Sequence, residues 1–294
     1  MRSYIGFDRL WSMQIPVPYS LFLRDGAFGW SCGQCPLDRA GQVVAPGDAL
    51  AQADLVARYC QTLLSESGFQ PSDLRMAVVY HDTPDPAPLL HRLQAALGPS
   101  LYIPVKVPEF YYPGMVIEVD LFAMADTPHP LRFAMGPQPD TLIDHHLAPP
   151  GTPGLPPHAI TAPTAQALTW TIAAPGPVTE TFHSHHGVTV RLRQSGPFHA
   201  LTATAGHIPG IVPQTEAIMQ AFAETLSARN LTFSDVVKST THYTGQATAE
   251  ELHDNMAVRN RRYSSPGPAS TGIRVAGLAD TSARTAITLL ACRN

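Results

Sequence analysis

Charge is scarce in this sequence. Only 14% of the 294 residues are Asp, Glu, Lys or Arg, the net charge is −4, and neither sign gathers into a long run. Holding a phosphate backbone takes clustered Lys and Arg, so nucleic acid is excluded as the main partner. Cysteine is scarce as well. Cys32, Cys35, Cys60 and Cys292 are too few for a disulfide framework. No apolar run reaches membrane-spanning length, and the opening MRSYIGFDRLW lacks the apolar core of a secretory signal. These absences predict a cytoplasmic protein with no membrane partner. Proline is abundant instead, at 29 residues, and much of it lies between residues 127 and 178, which predicts a loop-rich connection there. An apolar share of 44% over 294 residues supplies core for two ordinary domains.

One stretch occurs twice. Residues 52–83 read QADLVARYCQTLLSESGFQPSDLRMAVVYHDT, and residues 214–245 read QTEAIMQAFAETLSARNLTFSDVVKSTTHYTG. They align without a gap, Gln52 on Gln214, Leu64 on Leu226, Asp73 on Asp235. Each begins with apolar residues at three- and four-residue steps, the period of an amphipathic helix. Each breaks at Gly68 or Asn230, residues suited to a left-handed cap. A Ser-Asp turn and a β-rich run follow. A helix, a turn and a strand recurring this far apart predict duplication of a domain, not a solenoid.

In chain order, residues 1–18 are a lead-in. Tyr19 to Leu23 and Phe28 to Cys32 form a hairpin about Asp25-Gly26. The first helix, turn and strand follow, then a helix in LLHRLQAALG, then strands in LYIPVKVP and MVIEVDLFAMA. This order predicts an α+β sheet with both helices on one face. The second copy repeats it from near His183, with Gly206-His207-Ile208-Pro209 standing where Gly33-Gln34-Cys35-Pro36 stood. The expected division is residues 1–125, a Pro-rich connection at 126–182 with strands in TLIDHHLA and ALTWTIAA, and residues 183–294. Each sheet keeps a face without helices, which another copy of the chain would bury.

Several residue groups invite chemistry. Cys32 and Cys35 form a C-x-x-C, but no helix or second cysteine pair follows, so the two sulfurs are read as buried apolar groups. Asp144-His145-His146 and His183-Ser184-His185-His186 are dense in imidazole. Their spacing fits no zinc signature, and adjacent strand histidines point opposite ways. They are read as polar loop residues, with a metal site as the alternative. No metal or cofactor is expected. In a strand, alternate side chains share a face, so Ser270, Gly272 and Arg274 stand together. An arginine there either grips a carboxylate through two hydrogen bonds or forms a surface ion pair. Glu118 lies among apolar residues in VIEVDLF with Asp120 on the same face. Burial would make it a candidate acid or base; the other reading is that both carboxylates pair with Arg or Lys or face solvent at an edge.

The segment PYSLFLRDGAFGWSCGQCPLD resembles the opening of Rid (YjgF-type) proteins. PGPASTGIRVAGL and MVIEVDLFA are similar to that family's closing segments. The likeness covers residues 16–125 and 186–294. It implies two tandem Rid-like (chorismate-mutase-like) domains, a homotrimeric assembly and a small-molecule substrate held in a cleft. It implies hydrolysis of a small carboxylate-bearing metabolite, by deamination of an enamine or imine. Chorismatase-like or cyclic-amide hydrolysis, and ligand binding without catalysis, are the alternatives. Under the resemblance Glu118 matches the carboxylate that positions water, Tyr19 the tyrosine of the PYS motif, and His207 the ligand-side loop position. Asn255 matches an asparagine of the second helix. Lys106 and Ser270 fall where the family's carboxylate-binding arginine is expected, with Thr271 beside Ser270. Thr288 is expected at the second copy's glutamate position. A composite site combining Glu118 and Arg274 is the resulting expectation.

Overall fold

A computed structural model describes residues 1–125, 131–136, 143–147, 169–173, 179–245, 247–278 and 280–293. The first half contains β1 (Arg2–Ile5), β2 (Phe22–Asp25), β3 (Phe28–Ser31), α1 (Ala49–Glu66), β4 (Leu74–His81), α2 (Ala87–Leu97), β5 (Leu101–Lys106) and β6 (Ile117–Met124). A small sheet of β7 (Leu131–Gly136), β8 (Ile143–Leu147) and β9 (Thr169–Ala173) follows, in the order β8-β7-β9. The strands expected in TLIDHHLA and ALTWTIAA are β8 and β9. The second half contains β10 (Thr179–His185), β11 (Val188–Ser195), β12 (Phe198–Thr204), α3 (Ile211–Ser227), β13 (Val236–Thr244), α4 (Ala249–Asn260), β14 (Ala269–Val275) and β15 (Thr285–Cys292). The chain falls into two compact units. One is built on residues 1–125 and takes in 269–271, and the other is built on residues 179–268 and 272–293.

The two halves share one topology. Their sheets run β1-β2-β3-β6-β4-β5 and β10-β11-β12-β15-β13-β14. In each, the strand after the first helix pairs antiparallel with the last strand, and in each that pairing slips at one place, between Leu74 and Met76 or between Val236 and Lys238. Those residues are equivalent in the repeat, so even the bulge is duplicated. A buried glutamine opens both first helices. Gln52 donates to the carbonyls of Ala45 and Gly114 and accepts from the Val116 amide. Gln214 donates to the Ile208 carbonyl and accepts from the Arg284 and Thr285 amides. Each ties its helix to the entry of the last strand, and this is why the repeat keeps it.

The helices form as their sequences dictate. Asp48 caps α1 by accepting the Ala51 amide at 3.0 Å. Ala53, Val56, Ala57, Cys60, Leu63 and Leu64 then recur on one buried face. Gly68 and Asn230 follow α1 and α3 at φ 77° and 56°, the left-handed conformation their types favour. In the first half that helix face packs on Ala77, Val79, Ile117, Val119, Leu121 and Ala123 of the sheet. Strand alternation sends Met76, Val78, Tyr80, Glu118, Asp120 and Phe122 to the opposite face. All six are under a tenth exposed in the single chain.

Two expected boundaries move. The lead-in carries β1, which pairs with β2 from Arg2↔Asp25 to Ile5↔Phe22. The hairpin strand expected from Tyr19 begins at Phe22, because Ser20 instead forms an isolated parallel bridge to Ala269.

Candidate functional site

Glu118 is the second residue of β6, opposite Tyr80 of β4. Both are buried on the face away from the helices, at 7% and 0% exposure. The Gly33 loop closes over the carboxylate. A Cβ added at Gly33 would lie 1.7 Å from Glu118 Oε1, so only glycine admits this approach. Protonated groups surround Glu118. Burial pushes the Cys35 thiol well up, and the charge of Glu118, which shares a hydrogen bond with it, adds to this. Burial raises Tyr80 well above the usual phenol range, helped by the charges of Asp120 and Glu118. Tyr112 is pushed up to about 12, by burial first and then by Cys35, with Glu118 contributing. The fully buried Tyr80 hydroxyl has no hydrogen-bond partner among the described residues.

The loop that carries Gly33 and Cys35 is pinned by Gln34. Its backbone exchanges hydrogen bonds with Val119 at 2.8 and 3.2 Å. Its fully buried side chain accepts from the Trp11 indole at 3.1 Å and donates to the carbonyls of Leu21 and Cys32. Gln34→Leu would strand these partners in the interior. It should cost about 2 kcal/mol or more, because each orphaned buried group carries a desolvation penalty of that order. Urea unfolding checks this, and an unchanged midpoint would show that the loop is held elsewhere.

Asp120 lies on the same face as Glu118 and accepts a 2.6 Å hydrogen bond from Thr271 Oγ1. Thr271 therefore spends its hydroxyl on a buried carboxylate. Tyr19 is buried beside the Ser20 bridge. Lys106 is exposed at the end of β5, level with His81. Cys32 and Cys35 are free, buried thiols, as expected. Sequence reading missed Tyr80 and Tyr112. Strand alternation, carried across from Glu118 to β4, would have singled out Tyr80.

The second half lacks the carboxylate. Ala286 stands opposite His242 as Glu118 stands opposite Tyr80, while Thr288 pairs with Thr240 as Asp120 pairs with Val78. The expected equivalence of Thr288 with Glu118 is therefore corrected. The register puts Thr288 two residues further along, at the Asp120 position, where its hydroxyl meets Thr202 Oγ1 at 3.2 Å. His207, exposed in the Gly206 loop, replaces the buried Gln34 clamp. A Cβ at Gly206 would meet Asp280 and Ser282 instead of a strand glutamate.

His242 repeats the Tyr80 position. It is buried, and its Nε2 has no partner among the described residues. Burial alone lowers its pKa from 6.5 to about 4. Between those values the unfolded chain binds a proton that the folded chain refuses. Stability is therefore present above the unfolded value and lost as pH falls from about 6.5 to about 4, on the order of 3 kcal/mol. His81 and His199, lowered mainly by burial, act in the same direction. His242→Leu should remove its share of this slope in urea unfolding at about pH 7 and about pH 4.5. An unchanged slope would assign the pH dependence to other groups.

Arg274 shares a sheet side with Ser270 and Gly272, as alternation predicts. Its Nη2 donates to the Ala247 carbonyl at 3.2 Å and its guanidinium lies 5.8 Å from the Tyr243 ring centre. Burial lowers its pKa. Asn255 is buried under the helices and accepts from Thr215 Oγ1 at 2.9 Å. His185 Nδ1 and His186 Nε2 meet the two oxygens of Glu224 at 2.9 and 3.0 Å. Neighbouring histidines were expected to point apart. They converge because His186 leaves the strand with a left-handed φ of 50°. His145 and His146 lie in β8, and nothing is described of their side chains. Among the described residues no group of three or more His, Cys, Asp or Glu is placed to hold a metal ion. No described helix is long and apolar enough to cross a membrane.

No protein-family model and no curated protein matches the chain. Solved structures do. A Mycobacterium tuberculosis member of the YjgF/YER057c/UK114 family is 18% identical, with 42% of this chain and 100% of that one covered at a TM-score of 0.34. A Yersinia pestis protein of the Rid family, of unknown function, is 16% identical, with 42% and 100% covered at 0.38. Yeast Mmf1 is 16% identical, with 43% and 100% covered at 0.37. Each is a single unit of about half this chain, and identities this low speak of fold alone. The same sheet order and the same helix placement are built twice, so this chain has a tandem α+β fold.

Proposed function

We propose that the first half is a hydrolase of a small carboxylate-bearing metabolite, deaminating an enamine or imine with water activated by Glu118. One observation carries this reading. A buried carboxylate sits on a glycine, ringed by the protonated Cys35, Tyr80 and Tyr112, with a Tyr80 hydroxyl that has no partner among the described residues. An unpartnered polar atom in the interior is costly, and a substrate or water that accepts from Tyr80 would relieve that cost. In the reaction, the water oxygen bonds to the C=N carbon as Glu118 takes one water proton. Glu118 returns that proton to nitrogen, which gives a carbinolamine; it then takes the hydroxyl proton and passes it to the amino nitrogen as the C–N bond breaks, so ammonia leaves and a carbonyl remains. Net, one imine and one water give one ketone and one ammonia. The test is ammonia release from 2-imino acids generated in situ by an amino-acid oxidase, against the spontaneous rate. No acceleration with any amino-acid precursor would sink the proposal.

For the second half the reading is binding without hydrolysis, because Ala286 supplies no base at the equivalent position. The proposed assembly is a homotrimer, on the resemblance. Light scattering should then give about three times 31.7 kDa, and 31.7 kDa over a wide concentration range would rule it out.

A further inference from the structure

The gapless repeat extends through the second helices, since α2 and α4 begin at the equivalent Ala87 and Ala249. This exposes a difference between the halves under their helices. Leu97, Leu93, Val79 and Ala77 pack there in the first half. The same positions in the second half are Arg259, Asn255, Thr241 and Ser239, all buried. Arg259 is 6% exposed. Its Nη1 donates to Thr241 Oγ1 at 2.9 Å, its Nε has no partner, and no carboxylate lies within ion-pair distance of it among the described residues. The Ser239 hydroxyl, on the same sheet side as Thr241, is likewise buried without a partner. A guanidinium stays charged at any working pH, and a buried charge without a counter-ion is strongly disfavoured. In the second half a guanidinium thus takes the place of a leucine in the core, with hydroxyls beside it in place of valine and alanine. A groove of about 460 Å³ between α3 and α4 is lined by Glu216, Gln220, Val258, Arg261 and Arg262, with Arg259 next to Val258 along α4 but not in its wall.

We infer that the helix side of the second half binds a small oxyanion, a carboxylate or phosphate, seated on Arg259 with hydroxyl support from Thr241 and Ser239. The fork of the guanidinium matches two oxygens of such a group. The site is independent of Glu118 and stands whether or not the first half is a hydrolase.

The full-length protein is unfolded by urea in inorganic phosphate, in acetate, and in chloride at matched ionic strength. The expected result is a saturable rise in the folding equilibrium constant, on the order of tenfold with millimolar oxyanion, over chloride. The arm that responds distinguishes phosphate from carboxylate. Arg259→Leu/Thr241→Val, which restores the residues of the first half, should abolish the response. Arg259→Lys, which keeps the charge but loses the fork, should weaken it severalfold. A response no greater than that of chloride in both arms overturns the site, as does a response that survives in the double variant. Should the double variant not fold, an undiminished response in Arg259→Lys overturns it.

Discussion

Glu118→Gln is expected to lower turnover by about 10²- to 10⁴-fold, the range over which removal of a positioned general base is felt. The amide has the shape of the carboxylate and can hold the same place against Gly33, but it cannot take a proton from water. Turnover equal to that of the unaltered protein would remove Glu118 from the chemistry. Tyr80→Phe separates function from packing. It keeps the ring and deletes a hydroxyl that has no partner among the described residues, so stability should hold or rise while turnover falls. A stability loss above about 1 kcal/mol would show instead that the hydroxyl is structural.

Gly33→Ala should be among the most damaging single-methyl changes in the chain. The new Cβ would lie 1.7 Å from Glu118 Oε1, 2.5 Å from Cδ and 2.9 Å from Cγ. Neither side yields easily. The loop is fastened to Val119 and Trp11 through Gln34, and the glutamate is fixed in the middle of a six-stranded sheet. Overpacking of this kind costs about 1–3 kcal/mol. A displacement of about 1 Å at the carboxylate is worth roughly another 10²-fold in rate. The double change Gly33→Ala/Glu118→Ala isolates the cause. Removing the glutamate side chain opens the space the methyl needs, so the two stability losses should fall well short of adding. Simple additivity in urea unfolding would show that the loop and the carboxylate do not press on each other.

Much of this protein is legible along the chain. The duplication, the α+β class, the helix faces and the caps at Gly68 and Asn230 depend on local patterns, apolar periodicity and backbone preference, which sequence carries directly. The apolar neighbours of Glu118 in VIEVDLF mark it as a candidate, but its burial is decided by what covers that face of the sheet. What lay across strands was not legible. Register is set by pairing between segments distant in sequence, and one slip of two residues moved the Glu118 position in the second half from Thr288 to Ala286. The Tyr80 and Cys35 neighbours of Glu118 come from a strand and a loop that only folding brings to β6. The exchange of Leu97 for Arg259 was visible as letters. Its meaning required the tertiary structure, because only packing decides that this arginine is buried and that no acid among the described residues reaches it.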